Sequence, residues 1–346
     1  MSSIRTSRTR VTLVSLTLLV ALVAPAAGQK IKMATLSPDG SPWDTILEKM
    51  GSSWEQATDG RVTLTILPGG VAGDEPDIIR KMKIGQYQGG ALSVAGLSDI
   101  HKDFTVFQIP LFFDDYPELM HVLRELTPAL DQQLEAQGYK RLAWGYVGWV
   151  YFFTSKEART VADMQKLKIF TWAGDETLVQ WWRRNGFKPV ALAATDIMTG
   201  LQTGLIEAIS VPPLYAMQTQ YYKRAPYMAD LGLAPLIGAV LLDQRAWKRM
   251  RPEDQAAVLA AGREAESRVL EQIPKLDEGA IKLMQTAGLE VVAIRDSPNS
   301  QEWIRAAEGF ADDMRGDIVP AGIFDKARAS RDAYRKQSVS GPSSAP

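Results

Sequence analysis

From Lys30 onward, short β-branched runs alternate with helical segments, and that alternation limits the chain to architectures that pack helices on a sheet. "KIKMATL" reads as a strand, and "SPWDTILEKMGSSWEQA" as a helix with Ser41 at its N-cap and Pro42 at the first helical position. "RVTLTILPGG" is an alternating strand that ends in a turn, "DEPDIIRKMKIG" is a short helix stopped by Gly85, and "GGALSV" is a third strand. Strand and helix repeating in this way predict an α/β fold with a largely parallel sheet.

The second half repeats the pattern. "YPELMHVLRELTPALDQQLEAQG" is a helix ending at Gly138, and "YKRLAWGYVGWVYFFTS" is a strand long enough to cross between two domains. "LKIFTW", "FKPVAL" and "IEAISV" are strands separated by the helices "DETLVQWWRRNG" and "TDIMTGLQTG", and "LIGAVLLD" carries the chain back. Domain I is therefore discontinuous, over 29–147 and about 232–255, and domain II covers 148–231. The crossings at 147–154 and 210–214 are placed to act as hinges. A helix over about 252–288 begins at Pro252, has Glu253 and Asp254 in its first turn, and should kink at Pro274. Residues 289–335 form a C-terminal segment that packs on the domains, and 336–346 form a polar, disordered tail.

Arg5, Arg8 and Arg10 precede the apolar run "VTLVSLTLLVALVA" and the small-residue stretch "PAAGQ", the order of a secretory signal peptide over 1–28. The run falls short of the ~20 residues of a spanning helix. Cleavage after Ala26 or Gly28 would leave a mature chain with no stable membrane insertion. The chain has no cysteine, so it has neither disulfides nor a cysteine-linked lipid anchor. Its 39 basic and 40 acidic side chains nearly cancel, which gives nucleic acid and anionic surfaces nothing to grip.

Catalytic constellations are missing from the pattern. The two histidines, His101 and His121, are far apart, no glycine spacing suits a phosphate loop, and no carboxylate pair is marked as general acid and base, so neither metal, cofactor nor catalytic residue is indicated. Large aromatics instead concentrate on the crossing strand and its neighbour: Trp144, Tyr146, Trp149, Tyr151, Phe152, Phe153, Phe170 and Trp172. Any one ring is ordinary core more often than not, but the set as a whole suits a cleft wall.

The segments "LSPDGSPW", "TDGRVTLTILPGG", "GDEPDIIRKMKIGQ", "IPLFF", "TSKEARTVADMQKLKIF" and "TGLQTGLIEAISVPP", in this order and spacing, resemble the solute-binding proteins of tripartite ATP-independent periplasmic (TRAP) transporters, the DctP type. The resemblance implies a two-domain periplasmic binding protein fold around a cleft, with a long helix spanning both domains. It also implies no enzymatic activity, a small-molecule solute as ligand, and large and small TRAP membrane subunits as partners.

The family pattern "DLKGLKIR" carries an arginine that grips a ligand carboxylate. The matching stretch here is "DMQKLKIF", which places Phe170 in the arginine position. By the same resemblance a second arginine maps to Val150, and an asparagine maps to Val211. Three polar contacts are thus apolar together, which predicts a solute that is apolar or aromatic. The candidate site comprises Phe170, Trp172, Val150, Trp149, Tyr151, Val211, Trp43, Ser93, Lys168 and Tyr215. One alternative keeps an organic acid, held by Lys168, Lys166 or Arg183. Another, of a different class, is an exported carrier or sensor component that works without a permease.

Overall fold

The computed structural model describes residues 28–340. The export segment and its cleavage site, apart from Gly28, lie outside the described residues, as does the end of the expected tail, 341–346. The chain begins with β1 (Gln29–Thr35), α1 (Pro42–Ala57), β2 (Val62–Leu67), α2 (Glu75–Lys83), β3 (Gly89–Ser93) and α3 (Val94–Ile100). It continues through α4 (Tyr116–Ala136), β4 (Tyr139–Thr154), α5 (Val161–Met164), β5 (Lys168–Trp172), α6 (Glu176–Arg184) and β6 (Lys188–Leu192). Next come α7 (Ile197–Thr203), β7 (Ala208–Val211), α8 (Pro213–Gln218), β8 (Tyr227–Ala229), β9 (Ala234–Asp243) and α9 (Gln244–Arg249). The last elements are α10 (Pro252–Thr286), β10 (Glu290–Val292), α11 (Ser300–Met314) and α12 (Ala321–Ser340).

Local chemistry starts these helices where the side chains can satisfy free backbone N–H groups. The Ser41 hydroxyl accepts from Asp44 N at the start of α1, and Asp115 accepts from Glu118 N at the start of α4. Gly204 closes α7 in the left-handed conformation that glycine adopts without strain. At the far end of the chain α12 runs through 336–340, so the disordered tail expected from 336 does not begin there.

The strands join in the order β2-β1-β3-β9-β4-β7-β5-β6, with β8 and β10 attached beside β4. Pairs among β1, β2 and β3, and among β5, β6 and β7, are parallel, whereas β9 runs antiparallel to both β3 and β4, and β4 runs antiparallel to β7. The sheet is therefore mixed rather than largely parallel. β4 takes the chain out of one half and β9 brings it back alongside, which forces their opposed directions.

β4 is 16 residues long and belongs to both halves. Its register with β9 shifts between Tyr146 and Gly148, and Gly148 has φ of 144°. A Cβ at that position would lie 2.4 Å from Pro212 and 2.6 Å from an Asp277 oxygen, so only glycine fits where the strand crosses. One large core, including Trp54, Phe104 and Phe107, fills the first half. In the second half Phe152, Ile169 and Ala208 point to one face of the sheet, and Phe153, Phe170 and Ile209 to the other, each face with its own core.

The 35-residue α10, about 50 Å long, packs on α1, β4 and α8 and so spans both halves. Its helical assignment runs unbroken through Pro274. Gly262 lets it approach closely, since a Cβ there would stand 2.5 Å from the Leu142 carbonyl oxygen.

Candidate functional site

A cavity of about 260 Å³ lies between the two halves, walled by β1, β3, β4 and β9 on one side and by β5, β7, α6 and α8 on the other. Val150 of β4 lines it, and so do Phe170 and Trp172 from β5 and Val211 from the end of β7. Phe170 meets Trp172 edge-on at 5.4 Å and is 6% exposed, so one side of its ring belongs to the second half's core while the other faces the cavity. Trp43 and Ser93 line the opposite wall, and Tyr215 of α8 lines the same side as Phe170. Trp43 sits at the start of α1, donates its indole N–H to the Tyr146 carbonyl at 3.3 Å, and lies 6.3 Å from the Tyr215 ring.

Three predicted residues are elsewhere. Trp149 and Tyr151 do not line the cavity: Trp149 packs on Tyr116 and Gly232, and Tyr151 packs into the core that holds Phe170, with its phenol toward Arg295. Lys168 shares a strand face with Phe170 but stands at the outer end of β5, its ammonium bonded to the Gly204 carbonyl, beyond the cavity. The other candidate cations are also outside it: Lys166 pairs with Asp163 at 3.0 Å, and Arg183 lies 3.7 Å from Glu176. Among the described residues, no Lys, Arg or His lines the cavity.

Two carboxylates do line it, Glu75 and Glu266. Glu266 accepts from the Trp144 amide at 2.8 Å and has the Arg141 guanidinium 3.9 Å away. Glu75, the first residue of α2, is only 2% exposed. Its oxygens accept from Ser93 N at 2.6 Å, Ser93 Oγ at 2.8 Å and Gly96 N at 2.7 Å. Burial pushes its carboxyl up to about 7, with those hydrogen bonds working in the opposite direction.

Contacts also close the rim. Asp74 accepts from Ala194 N at 2.8 Å, and Lys102 pairs with Asp175 at 3.0 Å, each joining the first half to the second. Behind the cavity, Asp277 of α10 accepts from Leu214 N at 2.9 Å and from the Trp149 amide, so one buried carboxylate holds both crossings. Burial pushes it up to about 7.

Residues 33–316 match the DctP family, described as bacterial extracellular solute-binding protein, family 7. The chain belongs to the DctP family. The C4-dicarboxylate-binding periplasmic protein DctP of Rhodobacter capsulatus is 25% identical over 275 residues, which are 78% of this chain and 82% of that protein. Among solved structures, DctP7 of Bordetella pertussis, an extracytoplasmic solute receptor binding pyroglutamic acid, superposes with a TM-score of 0.80 at 18% identity, covering 88% of this chain and 99% of its own. A TRAP periplasmic solute-binding protein of Desulfovibrio salexigens with bound orotic acid gives 0.80 at 17%, covering 89% and 99%. The two-domain TRAP receptor fold with its spanning helix is thus the fold of this chain, and DctP proteins are solute receptors rather than enzymes. No helix among the described residues is long and apolar enough to cross a membrane.

Several cavity residues of this DctP protein had no signal in its sequence. Glu75 follows the N-cap Asp74, where an acid is the usual first-turn residue, so nothing separates it from a helix-dipole carboxylate. Trp181 and Trp182 fall on a helix whose pattern reads as plainly amphipathic. Both reach the cavity, and the Trp181 indole N–H is buried without a hydrogen-bond partner. Adjacent tryptophans in a helix flanked by arginines were the one available hint.

Proposed function

We propose that the chain is a periplasmic receptor that captures a small apolar or aromatic solute between its two domains and delivers it to the large and small membrane subunits of a TRAP transporter. The observation that carries this reading is the composition of the cavity wall: Phe170, Val150 and Val211 stand where the family resemblance expects polar ligand contacts, and no cation lines it among the described residues. A carboxylate buried there without a partner would cost several kcal/mol. Apolar solute surface covered by the same walls gains roughly 25 cal/mol per Å². The organic acids held by the Bordetella pertussis and Desulfovibrio salexigens receptors therefore suit this cavity poorly. The domain division that goes with this function places domain I over 29–147 and about 232–255 and domain II over 148–231, with export by cleavage of the N-terminal segment.

Native mass spectrometry of the protein purified from its own host identifies the co-purified solute, and calorimetric titration with aliphatic diacids, keto acids and neutral aromatic compounds ranks the classes. The neutral aromatics should bind and the diacids should not. Micromolar binding of a simple dicarboxylate would falsify the apolar reading. Adjacent genes for the two membrane subunits separate a transport receptor from a carrier or sensor working alone.

A further inference from the structure

The cavity's electrostatics point to a narrower solute class than its apolarity does. Glu75 lies in the wall with no cation beside it: Arg80, later on α2, turns to Asp77 at 2.6 Å, and Lys81 donates to the Ala72 carbonyl. Its neighbour Asp74 adds a second carboxylate at the rim. Glu266 has Arg141 near it, so Glu75 is the lining carboxylate without a counter-charge. Its own donors, Ser93 and Gly96, are neutral, and the rings of Trp172, Tyr215 and Trp43 line the same cavity. Trp172 shares with Glu75 a smaller pocket opening off the cavity. Burial raises the proton affinity of the Tyr215 phenol and the neighbouring Glu75 adds to it, and Trp43 lies 6.3 Å from that ring.

Aromatic faces carry the negative end of the ring quadrupole and attract cations, most strongly where water is excluded. Combined with a buried carboxylate and no competing ammonium or guanidinium, they form a site that favours positive charge, tolerates neutrality and repels anions. We propose that the solute is an organic cation, with an amine or quaternary ammonium head held between Glu75 and the rings of Trp172, Tyr215 and Trp43, and an apolar body against Phe170, Val150 and Val211. The proposal rests on the reading of this cavity as the solute site. Glu75 is then the residue that determines specificity, and it also explains why three polar contacts for an acid are missing together.

Three probes that share one ring and differ in head-group charge test it: 2-phenylethylammonium, 2-phenylethanol and phenylacetate, titrated calorimetrically into the full chain at neutral pH. The ammonium should bind at least tenfold more tightly than the alcohol, and phenylacetate should be the weakest. In Glu75→Gln the ammonium's advantage over the alcohol should vanish. Trp172→Leu, which keeps the carboxylate, should reduce that advantage severalfold and serves if the first variant fails to fold. An alcohol that binds as well as the ammonium overturns the cation proposal and leaves the apolar reading standing. Phenylacetate as the tightest probe overturns both, and heat from none of the three overturns the cation proposal.

Discussion

Phe170 shows how one side chain can serve two masters. It stands in the central strand of the second half, pairs in register with Val190, and is 6% exposed, yet its ring borders the cavity. Truncation therefore removes core packing and solute contact together. Phe170→Ala should lower unfolding free energy by about 3 kcal/mol, the low end for a large core ring because the adjoining cavity already limits its packing. The denaturant midpoint should fall with an unchanged slope, and solute affinity should fall with it. A midpoint within experimental error of the unmodified protein would show that the ring contributes nothing to the core.

At the scale of elements, the decisive junction is where α10 meets the two crossings. Asp277 is buried there at 8% exposure, holds Leu214 N and the Trp149 amide, and has the phenols of Tyr116, Tyr146 and Tyr151 around it. Its carboxyl sits at about 7 in the folded chain, against ~3.9 for an unfolded aspartate. Between these values the folded state keeps a proton that the unfolded state has released. Stability from this group is therefore full below about pH 4, falls as pH rises, and is lost above about pH 7. Glu75 acts with the same sign. Asp277→Asn removes one of these contributions, so the loss of stability between about pH 5 and about pH 8, read from urea midpoints, should be smaller than in the unmodified protein. An identical loss in the variant would place the titration elsewhere.

For the molecule as a whole, the contacts at the rim set how firmly the halves meet. The Lys102–Asp175 pair is half exposed on the lysine side, so it contributes at most about 1 kcal/mol. The Asp74 bond to Ala194 N contributes more locally, because the same side chain also caps α2. On the proposed receptor function, closure around solute should hinge at the crossings at 147–154 and 210–214. Small-angle scattering of the unmodified protein should show a more compact particle at saturating solute. The Asp74→Ala, Lys102→Ala double variant should be more extended without solute and need more of it to contract. A profile indifferent to solute in both proteins would remove the hinge from the mechanism.

Much of this protein was legible in one dimension because the relevant signals are local. Caps such as Ser41, glycine stops such as Gly204 and the long run of β4 place the elements, and the ordered motifs name the family before any contact is known. Period-two alternation also says that Val150 and Tyr151 face opposite ways, but it cannot say which of them meets solvent, core or cleft. That was decided by the partners: β9 and β7 beside β4, with α10 behind it. Distance along a strand is equally mute, so Lys168 shares a face with Phe170 and still misses the cavity, its ammonium taken by the Gly204 carbonyl. Glu75 is the extreme case. Its sequence position is that of any first-turn acid, and only the folding of Ser93 and Gly96 against it, 18 and 21 residues away, turns a helix-start acid into a buried carboxyl in the cavity wall, because burial is a property of neighbours and not of the residue.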